Sequence, residues 1–349
     1  MNAIKRIKLD QKTIQLIMII IVLFVGMAIL QPERFLRPAN FHSMLIQMTE
    51  LGLYSLCIGI CYFSRSIDIS IVSIGNLVGI ICGMLFRARI TPETPQSSVI
   101  AYILIAVVMS LLIGALCGLI NGTLVAGLGI FPILATLGTH SIFMGIGLGI
   151  TQGWAVVGFP QLLLDLGDTD LLPIGQFRGI PLVFAIFLVV FAVLWVIVHK
   201  TPYGLKLQWH GSNSKVSFFA GIDNKRVMLK TFVISGVVAS VAGLVTMART
   251  NSARADYGGS LLFQALLVCV LSGISPIGGK GKFYNIIFAM IALQIISSGF
   301  NMMRISPLIR DSIFGFLLVA AIIIELAQAK AQANRLNRGA ILHKASEGE

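Results

Sequence analysis

IPLVFAIFLVVFAVLWVIV, residues 180–198, runs without a single charged side chain. A helix needs about 20 apolar residues to cross about 30 Å of hydrocarbon, so this stretch reads as a membrane span. Working outward, comparable blocks occupy 13–30, 43–63, 69–86, 98–120 and 129–150 on the N-terminal side. On the C-terminal side they occupy 227–247, 258–275, 283–299 and 306–327. The expectation is an all-α polytopic membrane protein of about ten transmembrane helices. The tails are residues 1–12 and 328–349, the permeating body 13–327, and the C-terminal tail reads as a helix end that frays.

Composition agrees with the blocks. The 349 residues are 56% hydrophobic and 11% charged, with a mean hydropathy of +0.91, whereas soluble domains carry about 25% charged residues. A soluble enzyme, a disordered chain and a secreted disulfide scaffold are excluded. The longest gaps, 151–179 and 199–226, are too short to hold a separate soluble domain. Cys57, Cys61, Cys82, Cys117 and Cys269 all fall in apolar blocks without a CxxC spacing and read as small core residues.

Orientation follows from lysine and arginine, which collect in short cytoplasmic loops. With both termini inside, every lysine lies on the cytoplasmic side, Lys200, Lys206, Lys215, Lys225, Lys280 and Lys282 among them. The outer loops keep Arg34, Arg37, Arg87, Arg89, Arg249 and Arg254, together with Asp165, Asp168 and Asp170. The reading is N-in and C-in. The net charge of +12 reflects this sorting toward anionic lipid, not a nucleic-acid partner. The first block is followed by Gln31, Pro32, Glu33 and Arg34 without a small-residue cleavage site, so it reads as an anchor span.

Polar residues inside the blocks are the candidates for function. Gly114, Gly118 and Gly122, and again Gly145, Gly147 and Gly149, have the spacing of close helix packing or of a solute-facing surface. CYFSRSID, residues 61–68, sets Arg65 and Asp68 between two apolar blocks. It is either a tight cytoplasmic turn with the two side chains paired, or a broken element bordering a permeation path. Glu50 is a buried partner or lies near the outer headgroups, and His140 reads as a packed histidine. Asn76, Asn121, Thr136, Thr139, Gln264, Gln294, Ser297, Ser298 and Asn301 supply neutral hydrogen-bonding groups. Such groups suit a neutral hydroxylated solute or bonding between helices.

Residues 199–226 read HKTPYGLKLQWHGSNSKVSFFAGIDNKR. Ser212 or Asn213 can cap a helix start and Gly221 can stop it, which brackets a helix of about two turns. Val216, Phe219 and Ala220 then form one apolar stripe, fitted to a groove on a partner or to the lipid interface. In VLSGISPIGGKGKF, residues 270–283, Gly273 and Gly278 have the first spacing of a phosphate-binding loop, but Gly279 stands where lysine is required. If ATP is used, a different subunit hydrolyses it.

The chain resembles the membrane permeases of bacterial ABC importers for ribose and related simple sugars. The carriers are SIDISIVSIG (66–75), GLINGTLVAGLGIFPILATLGTHSIFMG (118–145), KTPYGLKLQWHGSNSKVSFFAGI (200–222) and VLSGISPIGGKGKF (270–283). GALCGLIN (114–121) and SARADYGGSLLFQALLVCVLSG (252–273) look most like permeases for autoinducer-2, a sugar-derived signal. Arg65, Ile71, Val72 and the stretch Ser214 to Ser217 depart from the family pattern. The resemblance implies a dimer with a second copy or a sister permease, a pair of cytoplasmic ATPase subunits that hold the ATP and magnesium, and a periplasmic solute-binding protein.

It also implies that Gly211, Ser212, Asn213, Val216, Phe219, Ala220 and Gly221 couple the permease to the ATPase. Asp68, Asn76, Asn121 and Thr136 are then expected at the path or its gate, and Arg249, Arg254 and Asp256 on the binding-protein face. No cofactor or metal is expected in this chain. The main rival is an ion-coupled secondary carrier, which needs intramembrane acids beyond Glu50. An embedded enzyme would need a convergent cluster, and His42, His140, His199, His210 and His343 are scattered.

Overall fold

The computed structural model describes residues 10–172 and 178–346. Helices α1 (Gln11–Leu30) and α2 (Pro32–Phe35) are followed by α3 (Pro38–Phe63), α4 (Ile71–Arg89) and α5 (Gln96–Gly122), the last extended by a π turn over Thr123–Gly127. Next come α6 (Pro132–Thr151), α7 (Gln161–Asp168), α8 (Leu182–Lys200), α9 (Pro202–Ser212) and α10 (Ser214–Phe219). The chain closes with α11 (Asn224–Thr250), α12 (Gly259–Leu271), α13 (Asn285–Met302) and α14 (Pro307–Ser346). The two-residue strands β1 (Val156–Val157) and β4 (Ser252–Ala253) pair with each other, as do β2 (Asp170–Leu171) and β3 (Ile180–Pro181).

Helix α3 is the buried axis. Every residue from Met48 to Phe63 is buried, and α11 packs along it as well as along α4 and α5. The core is filled by large rings, with Tyr54, Phe63, Phe187, Phe232 and Phe283 under 3% exposed. Close approach of α5 to α11 is set by small residues. A Cβ on Gly118 would lie 2.3 Å from the Phe232 carbonyl oxygen, and one on Gly114 2.4 Å from that of Gly236. The 114, 118, 122 series is therefore a packing seam, whereas Gly145 and Gly149 face open space. Ile21, Val22, Ile29, Leu104, Val108, Leu112 and Val189 are exposed, the surface a bilayer solvates.

Nine helices among the described residues are long and apolar enough to cross a membrane. The expected span at 258–275 is the exception. Helix α12 has 13 residues, about 20 Å at 1.5 Å per residue, short of the hydrocarbon thickness. The chain before it, Ser252–Gly258, runs as a strap across the outer half of the bundle. The structure thus has nine helices of spanning length where about ten are expected, with α12 as a shorter apolar helix. Helix α14 extends to Ser346, so the backbone of 328–346 is helical where fraying was expected. Glu325 and the first nine residues, with Lys5 and Lys8, lie outside the side chains the structure describes.

Candidate translocation and coupling site

Helix α10 forms where the capping residues place it. The Asn213 side-chain oxygen accepts from the backbone N–H groups of Lys215 and Val216 at 3.0 and 3.1 Å, and Gly221 ends the turn at φ +79°. Ser212 belongs to the end of α9, so Asn213 is the cap. Val216 is 62% exposed and Phe219 86%. The stripe thus points away from the protein, and Phe218 widens it. Ser217 is the inward anchor, with its hydroxyl 2.7 Å from Asn224 Oδ1 at the start of α11.

The cytoplasmic base behind α10 is an interlock of three backbones. The Gly279 N–H donates to the Phe63 carbonyl at 3.3 Å. A Cβ on Gly211 would lie 1.9 Å from that same carbonyl oxygen and 2.6 Å from the Gly279 nitrogen. Three segments meet here: the end of α3, the end of α9 and the glycine-rich turn 273–283. The end of α9 is thus packed against Phe63, the last residue of α3. Burial pushes the His210 imidazole of α9 below the usual histidine range, and raises the Tyr203 phenol.

The break itself is an irregular segment, Ser64–Ser70, between α3 and α4. Arg65 adopts φ +60° and is exposed, and among the described residues no ion pair joins it to Asp68. Asp68 is fully buried. Its Oδ1 accepts from the Ser70 N–H at 3.1 Å, the Ser70 hydroxyl at 2.7 Å and the Asn121 amide of α5 at 3.4 Å. Its Oδ2 accepts from the Ser235 hydroxyl of α11 at 3.0 Å. The Thr136 hydroxyl of α6 donates to the Ile67 carbonyl at 3.2 Å. Thr136 satisfies a backbone carbonyl of the break, while Asn121 and Ser235 satisfy its buried carboxylate. Asp68, Asn121 and Thr136 thus meet at one junction and are buried in this conformation.

Asn76 serves elsewhere. Its amide donates to the carbonyls of Ala255 and Tyr257 at 3.1 and 2.8 Å, pinning the strap 252–258 to α4. The strap is also held by pairing of Val156 with Ala253 and Val157 with Ser252. Arg254 and Asp256 sit on this strap in a bidentate pair at 3.0 and 2.8 Å, both about half exposed. Arg249 faces the other way. Its guanidinium lies 2.7 Å from Glu50 and donates to the Tyr257 hydroxyl at 3.2 Å. A cavity of about 410 Å³ on the α6 side is lined by Asn76, His140, Asp256 and Tyr257 among apolar residues.

Ser235, Tyr257 and Gln47 were not distinguished in the sequence, where they read as ordinary helix or loop residues. Ser298 and Asn301 prove to bond within the bundle, to Asn40 at 3.0 Å and from Arg310 at 2.9 Å. The described cysteines are buried and free. Among the described residues no cluster of histidine, cysteine and acidic side chains has the geometry to hold a metal.

The long apolar helices and their bundle are those of a multi-pass membrane protein. Residues 40–322 match the family described as the permease component of the branched-chain amino acid transport system, and the chain belongs to that family. It is 29% identical over 296 residues to the D-allose transport system permease protein AlsC of Escherichia coli (strain K12), covering 85% of this chain and 86% of that protein. It is 30% identical over 279 residues to the autoinducer 2 import system permease protein LsrD of Photorhabdus temperata, covering 78% and 79%. The LsrD of Yersinia enterocolitica is 29% identical over the same length. No solved structure shows significant similarity to the chain. The protein is thus a multi-pass transport subunit of the inner membrane.

Proposed function

We propose that this chain forms the membrane path of an ATP-driven importer for a small neutral sugar or sugar-like solute, of ribose, allose or autoinducer-2 type. The observation that carries the reading is the exposed stripe of Val216 and Phe219 on α10, which follows α9, the helix whose end packs against Phe63 before the break. An apolar stripe 86% exposed at its centre on a cytoplasmic face is a docking element for a partner. The relatives named for sugar and autoinducer-2 transport support the solute class.

The mechanism is alternating access. ATP-driven closure of the separate ATPase pair moves α10, and the backbone interlock at Gly211, Phe63 and Gly279 passes that motion to the Asp68 junction. The junction links α4, α5, α6 and α11, so its rearrangement changes which face the path opens to. Coupling requires that ATP and solute each prefer one of the two arrangements. On the outer side, a solute-binding protein docks near Arg254 and Asp256, and its pull on the strap reaches Asn76 and Tyr257. A second copy or a sister permease completes the path.

Purification from the native membrane in mild detergent, followed by mass spectrometry, tests the reading. Recovery of an ATPase subunit with Walker motifs is expected. Recovery of the chain alone, with uptake that survives ATP depletion and collapses with an uncoupler, would replace the importer with an ion-coupled carrier.

A further inference from the structure

A single protomer carries an open cavity of about 370 Å³, bounded by α3, α11, α12, α13 and the start of α14. Its wall is polar in a chain that is otherwise apolar. Glu50, 3% exposed, lies 12 residues into α3, about 18 Å along the helix from its outer end. A carboxylate held there is costly unless paired, and in a membrane bundle such a residue marks a functional position by default. Arg249 supplies the pair at 2.7 Å and turns the rest of its guanidinium toward Tyr257.

Two further side chains are buried without protein partners. Gln264 and Ser297 are each 8% exposed, both line this cavity, and among the described residues neither makes a hydrogen bond within the protein. Their polar groups reach the cavity, where their free capacity is available to what it contains. Gln294, 3% exposed, donates one hydrogen to Gln47 at 3.2 Å and keeps the rest of its amide. Of the charged side chains on the wall, Arg249 is paired with Glu50, and Arg310 donates to Asn301 at 2.9 Å and lies 4.0 Å from Asp311, which is not part of the wall.

We propose that this cavity, lined by a single protomer, is a solute site that takes a neutral polyhydroxylated molecule of pentose to hexose size. Amides and hydroxyls that both donate and accept match hydroxyls that do the same. Arg249 is neutralised by Glu50 and Arg310 is engaged by Asn301, which leaves the amides and hydroxyls as the free groups of the wall. The volume lies in the range of small-molecule sites. The proposal rests on the importer reading for the side from which solute arrives.

The test uses the full chain, purified with its native partners and reconstituted in lipid nanodiscs. Ser297→Cys places a thiol in the wall, and a membrane-impermeant maleimide reads its access. The native cysteines are buried and stay silent. D-ribose, D-allose and xylitol serve as neutral probes at about 100 mM, with ribose 5-phosphate and glucuronate as charged ones. At least one neutral probe is expected to slow labelling about threefold or more, as occupancy well above a millimolar-range Kd requires, with the charged probes giving no protection. Gln264→Leu in the same background is expected to remove the protection and keep the unprotected rate. Gln47→Cys, on the opposite wall, repeats the measurement should Ser297→Cys fold poorly.

Labelling unchanged by every neutral probe, equal protection by the charged probes, or no labelling at all would each overturn the site. ATP hydrolysis by the co-purified subunit is measured in parallel. Intact hydrolysis without protection rejects this site alone, while absence of any ATPase subunit rejects the importer reading.

Discussion

Asp68 accepts a hydrogen bond at 3.0 Å from the hydroxyl of Ser235, a residue 167 positions later in the chain. Through it the break between α3 and α4 is tied to the central helix α11, and the Asn121 amide ties the same carboxylate to α5. A fully buried carboxylate with four donors around it is stable only while all of them stay in place.

Removing the carboxylate strands most of those donors. Asp68→Ala is expected to leave Ser70 and Ser235 short of an acceptor, while Asn121 keeps the Ser70 hydroxyl, at about 1–3 kcal/mol for each buried group left unpaired. Melting in detergent is expected to shift down by several degrees, with uptake lost. Asp68→Asn keeps one oxygen acceptor and should fall between the variant and the native protein. A thermal scan of both variants, alongside uptake in cells, checks the order.

Phe219 makes no contribution to the folded core. Phe219→Asp is expected to leave membrane insertion and melting temperature unchanged, because the ring is 86% exposed. Uptake should be abolished and the ATPase subunit lost on purification. Uptake at the native rate would remove the docking role from α10.

Gly211 touches backbone on two sides. A methyl group there would sit 1.9 Å from the Phe63 carbonyl oxygen, and a backbone atom cannot rotate out of the way. Gly211→Ala is expected to push α9 off the base of α3, uncoupling ATP hydrolysis from transport. The readout is ATPase activity that no longer rises with solute-loaded binding protein, measured in proteoliposomes.

Arg254 and Asp256 form an exposed pair, which contributes about 0–1 kcal/mol. Arg254→Ala should therefore leave the melting temperature unchanged. Stimulation of ATP hydrolysis by the binding protein is expected to weaken, and the difference from the native protein is expected to shrink at high salt, where surface charges are screened. Unaltered stimulation would move the docking surface away from the strap.

His210 gives the cytoplasmic base a pH dependence. Burial holds its folded-state pKa below the ordinary histidine value, so the unfolded chain takes up the proton first as pH falls. Stability is complete above about pH 6.5 and declines on acidification below it. A melting series from pH 7.5 to 5.5 should show that decline, and His210→Gln should flatten it.

Much of this was legible in short windows of sequence. Residence in a bilayer, the placement of nine full-length spans and the capped helix after Asn213 follow from hydropathy and capping groups within about 20 residues of one another. Those properties are local: a span is apolar whatever its neighbours are, and Asn213 reaches the N–H groups two and three residues ahead of it.

Tertiary structure decided the rest. The sequence marked Glu50, Arg249, Asp68 and Asn76 as polar residues near or within the membrane, yet could not say which partners they take. In an apolar solvent each such group bonds to whatever donor or acceptor the rotation and depth of neighbouring helices bring near. Packing of α3 against α11 puts Arg249 on Glu50, and packing of α4 beneath the strap puts Asn76 on Ala255 and Tyr257. The shortness of α12 was hidden for the same reason. Residues 258–275 are apolar enough to span, but the strap held by Asn76, β1 and Arg249 ends at Gly258 and the helix runs only from Gly259 to Leu271. Hydropathy fixes that a segment belongs in the membrane; the contacts of its ends fix how much of it is helix.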